Sequence, residues 1–195
     1  MQWPTVMTAP LAAAVHEVIG LVVGLGGAVG WFTPPPRAET DVWLAEVLAA
    51  TAAGDGALCT AWRDSRLAAM GLWRREQAHF RRHSAELAKI MVAPQARGGR
   101  LGALVTQELV AAAASAGIET LTLGVRGNNH LALQLYAELG FVEYSRLPNA
   151  LEVGDDRFDD VRMYRKLAVP GHLTLRGSAP SGLGYSPAAR RSRAN

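Results

Sequence analysis

Apolar residues recur along this chain at two periods, and the changes of period mark its elements. Residues 39–53 carry Val42, Leu44, Val47 and Leu48 at helical spacing and end at Gly54-Asp55-Gly56, a helix stop. Residues 10–23 predict an earlier helix, followed by a glycine-rich loop, Trp31-Phe32 and Pro34-Pro35-Pro36. Two apolar runs, 57–63 and 67–74, flank the turn Asp64-Ser65-Arg66 and predict a hairpin. A polar connection, 76–82, leads to a central strand at 85–92. Then come a helix over 101–116 stopped by Gly117, a strand over 120–125, and a helix over 129–139 stopped by Gly140. Residues 141–147 and 160–167 predict two closing strands. The order is two helices, a meander, then strand–helix–strand–helix–strand–strand, with no internal repeat. At 195 residues this is one α/β (α+β) domain with enough chain for a core.

The central strand feeds a helix through Ala96-Arg97-Gly98-Gly99-Arg100-Leu101-Gly102. Unpaired N–H groups and the positive helix end can hold a phosphate at such a turn. A dinucleotide site would want a GxGxxG order and an acidic residue after the next strand, but that strand runs into Arg126-Gly127-Asn128-Asn129. A kinase-type phosphate loop would need a Gly-Lys-Ser/Thr ending, and the turn has none.

Three segments, VAPQARGGRLG, NNHLALQLY and ELGF, together resemble the GNAT superfamily of acyl-CoA-dependent N-acetyltransferases. The resemblance spans 8–167 and is densest over 86–141. It implies the GNAT fold, a central mixed but mostly antiparallel sheet flanked by about four helices; beyond it, residues 168–195, with four arginines, no acids and much Gly, Ser and Pro, read as a basic, unstructured tail. The family's turn runs Arg/Gln-x-x-Gly-x-Gly/Ala, so Arg97 and Gly102 match, while Arg100 stands where glycine is preferred. Family chains usually open with a strand before the first helix. Here only residues 1–7 precede it, with Pro4 among them, so that strand is vestigial or the chain begins later than its relatives. The segments GGAVGWFTP, RRHSAELAKIMVAPQARG and RLPNALEVG loosely resemble a small-molecule subgroup that includes tabtoxin-resistance acetyltransferases.

The resemblance implies attack of an amine directly on the thioester of acetyl-CoA. That chemistry needs a deprotonated amine, a polarised carbonyl and an acid for the leaving thiolate. The backbone of Ile90, Met91 and Val92 would run along the pantetheine arm like an added strand, with the Val92 N–H on the thioester carbonyl. The amides of Arg97, Gly98, Gly99, Arg100, Leu101, Gly102 and Ala103 would take the pyrophosphate. Tyr136, in the spacing Asn129-x-x-Ala132-x-x-Leu135-Tyr136, would protonate the thiolate, and Asn129 would bond the pantetheine or a bridging water. Glu86 is the base candidate: six residues before Val92, it shares that residue's sheet face by strand parity, and burial there would raise its pKa. Without the family pattern Tyr136 reads as a core aromatic and Glu86 as a strand-edge partner of Arg81, Arg82 or His83. His79 and His83 are lesser base candidates and otherwise read as surface histidines. Trp31 and Phe32 either wall the acceptor pocket or close the core. The implied activity is N-acetylation of a small primary amine. The alternatives are a protein N-terminus or lysine as acceptor, or a catalytically silent acyl-CoA-binding module.

Composition narrows the partners. Twenty Lys and Arg stand against 17 Asp and Glu, but four of the basic residues are Arg176, Arg190, Arg191 and Arg193 in the tail. The remainder is close to neutral, which gives no case for nucleic acid. The 15-residue apolar stretch over 18–32 holds five glycines and is too short to cross a bilayer. No signal peptide is marked. The single cysteine, Cys59, reads as a buried strand thiol and fits a reducing, cytoplasmic setting. No cluster has metal-ligand spacing. The expected partners are acetyl-CoA and a small amine, with a homodimer also compatible.

Overall fold

The computed structural model describes residues 1–27 and 29–168, so most of the expected tail lies outside it. Helix α1, Ala9–Gly24, starts where the Thr8 hydroxyl accepts from the Leu11 N–H at 3.3 Å, with Pro10 in the first turn. Leu11, Val15, Val18, Ile19 and Val22 form its buried stripe. Helix α2, Arg37–Ala52, buries Thr40, Leu44, Val47 and Leu48. Strands β1 (Gly56–Arg63), β2 (Arg66–Arg75) and β3 (Ser84–Val92) form the meander. A short 3-10 turn, His79–Arg81, interrupts the polar connection. Then follow α3 (Leu101–Ser115), β4 (Thr120–Arg126), α4 (His130–Glu138), β5 (Val142–Val153) and β6 (Asp156–Lys166).

Among the described residues, six strands lie in the order β1-β2-β3-β4-β6-β5, of which β3 and β4 pair in parallel and the others antiparallel. The expected fold class is therefore present, but the last hairpin is longer than the apolar pattern indicated. Its strands continue to a turn at Gly154, which has a φ of 61°. Of the first strand, a single bridge remains: Gln2 and Thr60 exchange backbone bonds of 2.7 and 2.9 Å.

Two apolar clusters hold the sheet. One joins α1 and α2 to Leu58, Met70, Leu72 and Met91. The other joins α3 to Cys59, Trp73, Ala85, Leu87, Leu121, Leu123, Val161 and Met163. Helices α1 and α2 pack chiefly over β1–β3. The same face of β4 and β6 therefore remains open, and it carries Thr122, Gly124, Arg126, Asp160, Arg162 and Tyr164, which alternate with the buried residues.

Candidate active site

The parallel pair β3–β4 is short. Its register runs Ser84–Thr120, Ala85–Leu121, Glu86–Thr122 and stops. Beyond Glu86, β3 continues to Val92 with its β4-facing edge unpaired. A bulge explains the parting. Leu72 faces Ala88 and Met70 faces Met91, so Gly71 alone opposes both Lys89 and Ile90. Lys89 takes a left-handed φ of 56°. A bulge bends its strand and increases local twist, which here leaves an open strand edge between two sheet halves. Ile90, Met91 and Val92 lie along this edge.

The bulge also corrects the parity of Glu86 and Val92. Val92 pairs with Ala69 on the α3 side, whereas Glu86, opposite Arg74, lies on the α1/α2 side. The extra residue reverses the alternation between them. Glu86 is not buried either: its side chain is 52% exposed and stands 3.8 Å from Arg162. The Val92 side-chain face does not affect its N–H, which belongs to the strand edge.

The turn after β3 forms a cradle of unpaired backbone donors. A 3-10 turn at Pro94–Ala96 leads into Arg97 and then into left-handed Gly98, with φ 86°. Arg100, the N-cap of α3, is also left-handed, with φ 54° and ψ 16°. That conformation is why glycine suits the position, and an arginine there carries strain. The N–H groups of Gly98, Gly99, Arg100, Leu101, Gly102 and Ala103 meet no acceptor among the described residues. Arg97 donates its N–H to Pro94 at 3.4 Å. A Cβ at Gly102 would sit 3.5 Å from Val92 and 3.7 Å from Leu135, so the small residue lets α3 start close against β3 and α4. Arg63, from the end of β1, brings its guanidinium to 3.7 Å from the position a Gly99 Cβ would take. Among the described residues, Arg63, Arg66, Arg97 and Arg100 form no ion pair with a carboxylate. A polyanion fits this donor set.

Tyr136 is the buried residue of α4. Its ring packs edge-on to Phe141 at 5.8 Å, and burial pushes the phenol up to about 12. Asn129 is the N-cap of α4, and its side-chain oxygen accepts from the Ala132 N–H at 3.2 Å. That oxygen is committed to the helix.

On the opposite face, the α1–α2 loop closes over β3. Trp31 is half-buried, packs edge-on against Trp43 at 5.6 Å and donates its N–H to Glu39 at 2.6 Å. Phe32, by contrast, is 74% exposed and does not close the core. The apolar and glycine-rich sequence could not separate these neighbours. Lys89 was missed as well. This side chain donates to the Val29 carbonyl and stands 3.9 Å above the Trp31 ring. Burial lowers its pKa; Glu86 raises it and Arg74 lowers it by smaller amounts. Arg126, from the end of β4, donates to the Gly26 carbonyl at 3.0 Å and to Asn128 at 2.8 Å. It also stacks on Phe158 at 4.9 Å. The one available signal for Lys89 was Gly71, since a glycine within a strand marks a bulge or close approach. A cavity of about 680 Å³ between α3, α4 and β6 holds none of these residues.

Structures of known proteins share this architecture. The chain superposes on a ribosomal-protein-alanine N-acetyltransferase from Brucella melitensis with a TM-score of 0.74 and 21% identity, over 86% of this chain and 100% of that one. A phosphinothricin acetyltransferase from Sinorhizobium meliloti, solved with AcCoA, gives 0.74 and 19% over 85% and 88%. A putative acetyltransferase from Salmonella typhimurium, solved with its cofactor acetyl-CoA, gives 0.72 and 19% over 86% and 94%. The family model described as "Acetyltransferase (GNAT) family" matches residues 28–141, which hold the cradle, the parted strands and Tyr136, and the chain belongs to that family.

Proposed function

We propose that this protein is an acetyl-CoA-dependent N-acetyltransferase that acetylates the primary amine of a small molecule by direct attack. The carrying observation is the row of six unpartnered N–H groups, 98–103, at the end of a strand whose edge lies open. The cradle matches a pyrophosphate, and the free edge of Ile90, Met91 and Val92 matches an extended amide-bearing arm. Neighbouring folds solved with acetyl-CoA support the same donor.

The gap between β3 and β4 joins the two faces of the sheet. Tyr136 comes from the α3/α4 side, and its raised pKa keeps the phenol protonated, ready to donate to a leaving thiolate. The Val92 N–H at the gap polarises the carbonyl under attack. Glu86 lies on the open face, where an amine would approach, and receives the ammonium proton through water. The α1–α2 loop, held down by Lys89 and Arg126, bounds that approach and favours a small acceptor over a protein chain. Thiol release from acetyl-CoA, measured against small amines, N-terminal peptides and lysine peptides, tests the assignment. Turnover confined to peptides would overturn the small-molecule acceptor. Acetyl-CoA binding without turnover of any amine would leave a silent binding module.

A further inference from the structure

We propose that Lys89 and Arg126 form an anion-recognition element in the acceptor site, and that the acceptor is an amine carrying a carboxylate or similar oxyanion. This rests on the acetyltransferase reading above and narrows its substrate.

Among the described residues, the strands beside the gap present four cations on this face, Arg74, Lys89, Arg126 and Arg162, and two carboxylates, Glu86 and Asp160. Glu39, from α2, accepts from the Trp31 N–H at 2.6 Å. Arg162 takes both carboxylates, with Asp160 at 2.9 Å and Glu86 at 3.8 Å. Gly124 makes room for this, since a Cβ there would meet the Arg162 guanidinium at 3.0 Å. Asp160, opposite Arg126 in register, is therefore already engaged.

Lys89 and Arg126 are different. Each spends its charge on a neutral acceptor of one short loop: the Val29 carbonyl for Lys89 and the Gly26 carbonyl for Arg126. They approach that loop from the two strands that part, one from each side of the gap. Arg126 has five N–H donors and uses one on Gly26 and one on Asn128; Lys89 has three and uses one on Val29. Spare donors on two cations suit an oxyanion, and a cation attracts a charged acceptor more strongly than a neutral carbonyl. Trp31 stacks under Lys89 and Phe158 under Arg126, which fixes both heads in place. The lowered pKa of Lys89 agrees, since it marks a partly buried positive charge that lacks full compensation.

The test uses the full chain and acetyl-CoA with the common L-amino acids and their carboxamides, followed by thiol release. The acid-to-amide ratio of kcat/KM in wild type should exceed that in Arg126→Gln and that in Lys89→Gln by at least about tenfold. Because the ratio is compared between enzymes, the differing amine basicity of acid and amide cancels. Equal loss on both substrates, with the ratio unchanged, would show that the cations only pin the loop and would overturn the proposal. So would turnover confined to amines without an anionic group. An acetyl-CoA thermal shift, run on every variant, separates these outcomes from failure of the acetyltransferase reading itself. A shift retained with the same acid-to-amide ratio in wild type and variants sinks only this proposal, whereas no shift in wild type sinks both.

Discussion

Three residues carry consequences that can be measured one substitution at a time. Tyr136→Phe removes the proposed acid and should lower kcat by on the order of tenfold to several hundredfold, with little change in KM for acetyl-CoA. An unchanged kcat, with chemistry shown to limit the rate, removes Tyr136 from the mechanism. Its pKa sets a sign as well. Burial raises the phenol to about 12, so the folded state keeps a proton that the unfolded chain releases from about 10. Stability should therefore fall as pH rises from about 10 to 12, and a urea midpoint series on wild type and Tyr136→Phe would read the difference. Cys59 follows the same rule, its thiol pushed up to about 11 by burial first and Glu108 second. It should resist alkylation in the native state and react on unfolding. Arg100 combines two effects. Its left-handed backbone means that Arg100→Gly should stabilise the apo protein, by about 1 kcal/mol at most. If its guanidinium also reaches a CoA phosphate, Arg100→Gly and Arg100→Ala should both weaken acetyl-CoA binding by about 1–2 kcal/mol, less so at high salt. Calorimetric affinities equal to wild type in both variants would mean that the side chain points to solvent.

Elements whose signals are local were legible in the sequence; those set by distant contacts were not. Helix α3 and its cradle could be read because Gly98, Gly99 and Gly102 punctuate a strand-to-helix junction. Helix α4 could be read from its Asn129 cap and its Gly140 stop. The parity of Glu86 and Val92 could not, because it assumes an uninterrupted strand and the bulge at Lys89 adds one residue. The long hairpin was missed for another reason. Strand β5 is exposed on nearly every residue, so it has no alternation to display. Pro148 and left-handed Asn149 lie within its register shift and resemble a chain break. Lys89 and Arg126 reach partners 60 and 100 residues away, and no window along the chain reports such a reach. Gly71 is the exception that could have pointed to the bulge. A Cβ there would collide with Ile90 and sit 3.0 Å from Leu109 and 3.1 Å from Val105. Gly71→Ala should accordingly cost about 1–3 kcal/mol of stability by overpacking, read as a lower urea midpoint with unchanged slope. A neutral result would show that the Ile90 side chain swings clear of the added methyl without penalty.

At the scale of the molecule, the sheet is sealed on one half and parted on the other. Most of β1–β3 is covered, one face by α1 and α2 and the other by α3, while the margin at Arg74 and Glu86, the β3–β4 gap and the cradle remain as the place where a ligand can complete the fold. A ligand that fills this gap binds the folded chain and has no counterpart in the unfolded one. Acetyl-CoA at 100 times its dissociation constant should then add about 2.7 kcal/mol of apparent stability. For a chain of this size that corresponds to a rise in Tm of roughly 5–10 °C. The arginines around the cradle make the rise depend on the ligand's phosphates. Dephospho-CoA and free pantetheine should give progressively smaller shifts. Arg63→Ala should reduce the shift with acetyl-CoA while leaving that with pantetheine unchanged, because Arg63 stands at the turn and not along the strand edge. Equal shifts from acetyl-CoA and pantetheine would mean that the cradle takes no part in binding. No shift with millimolar acetyl-CoA would remove the donor, and with it the acetyltransferase reading of the whole site.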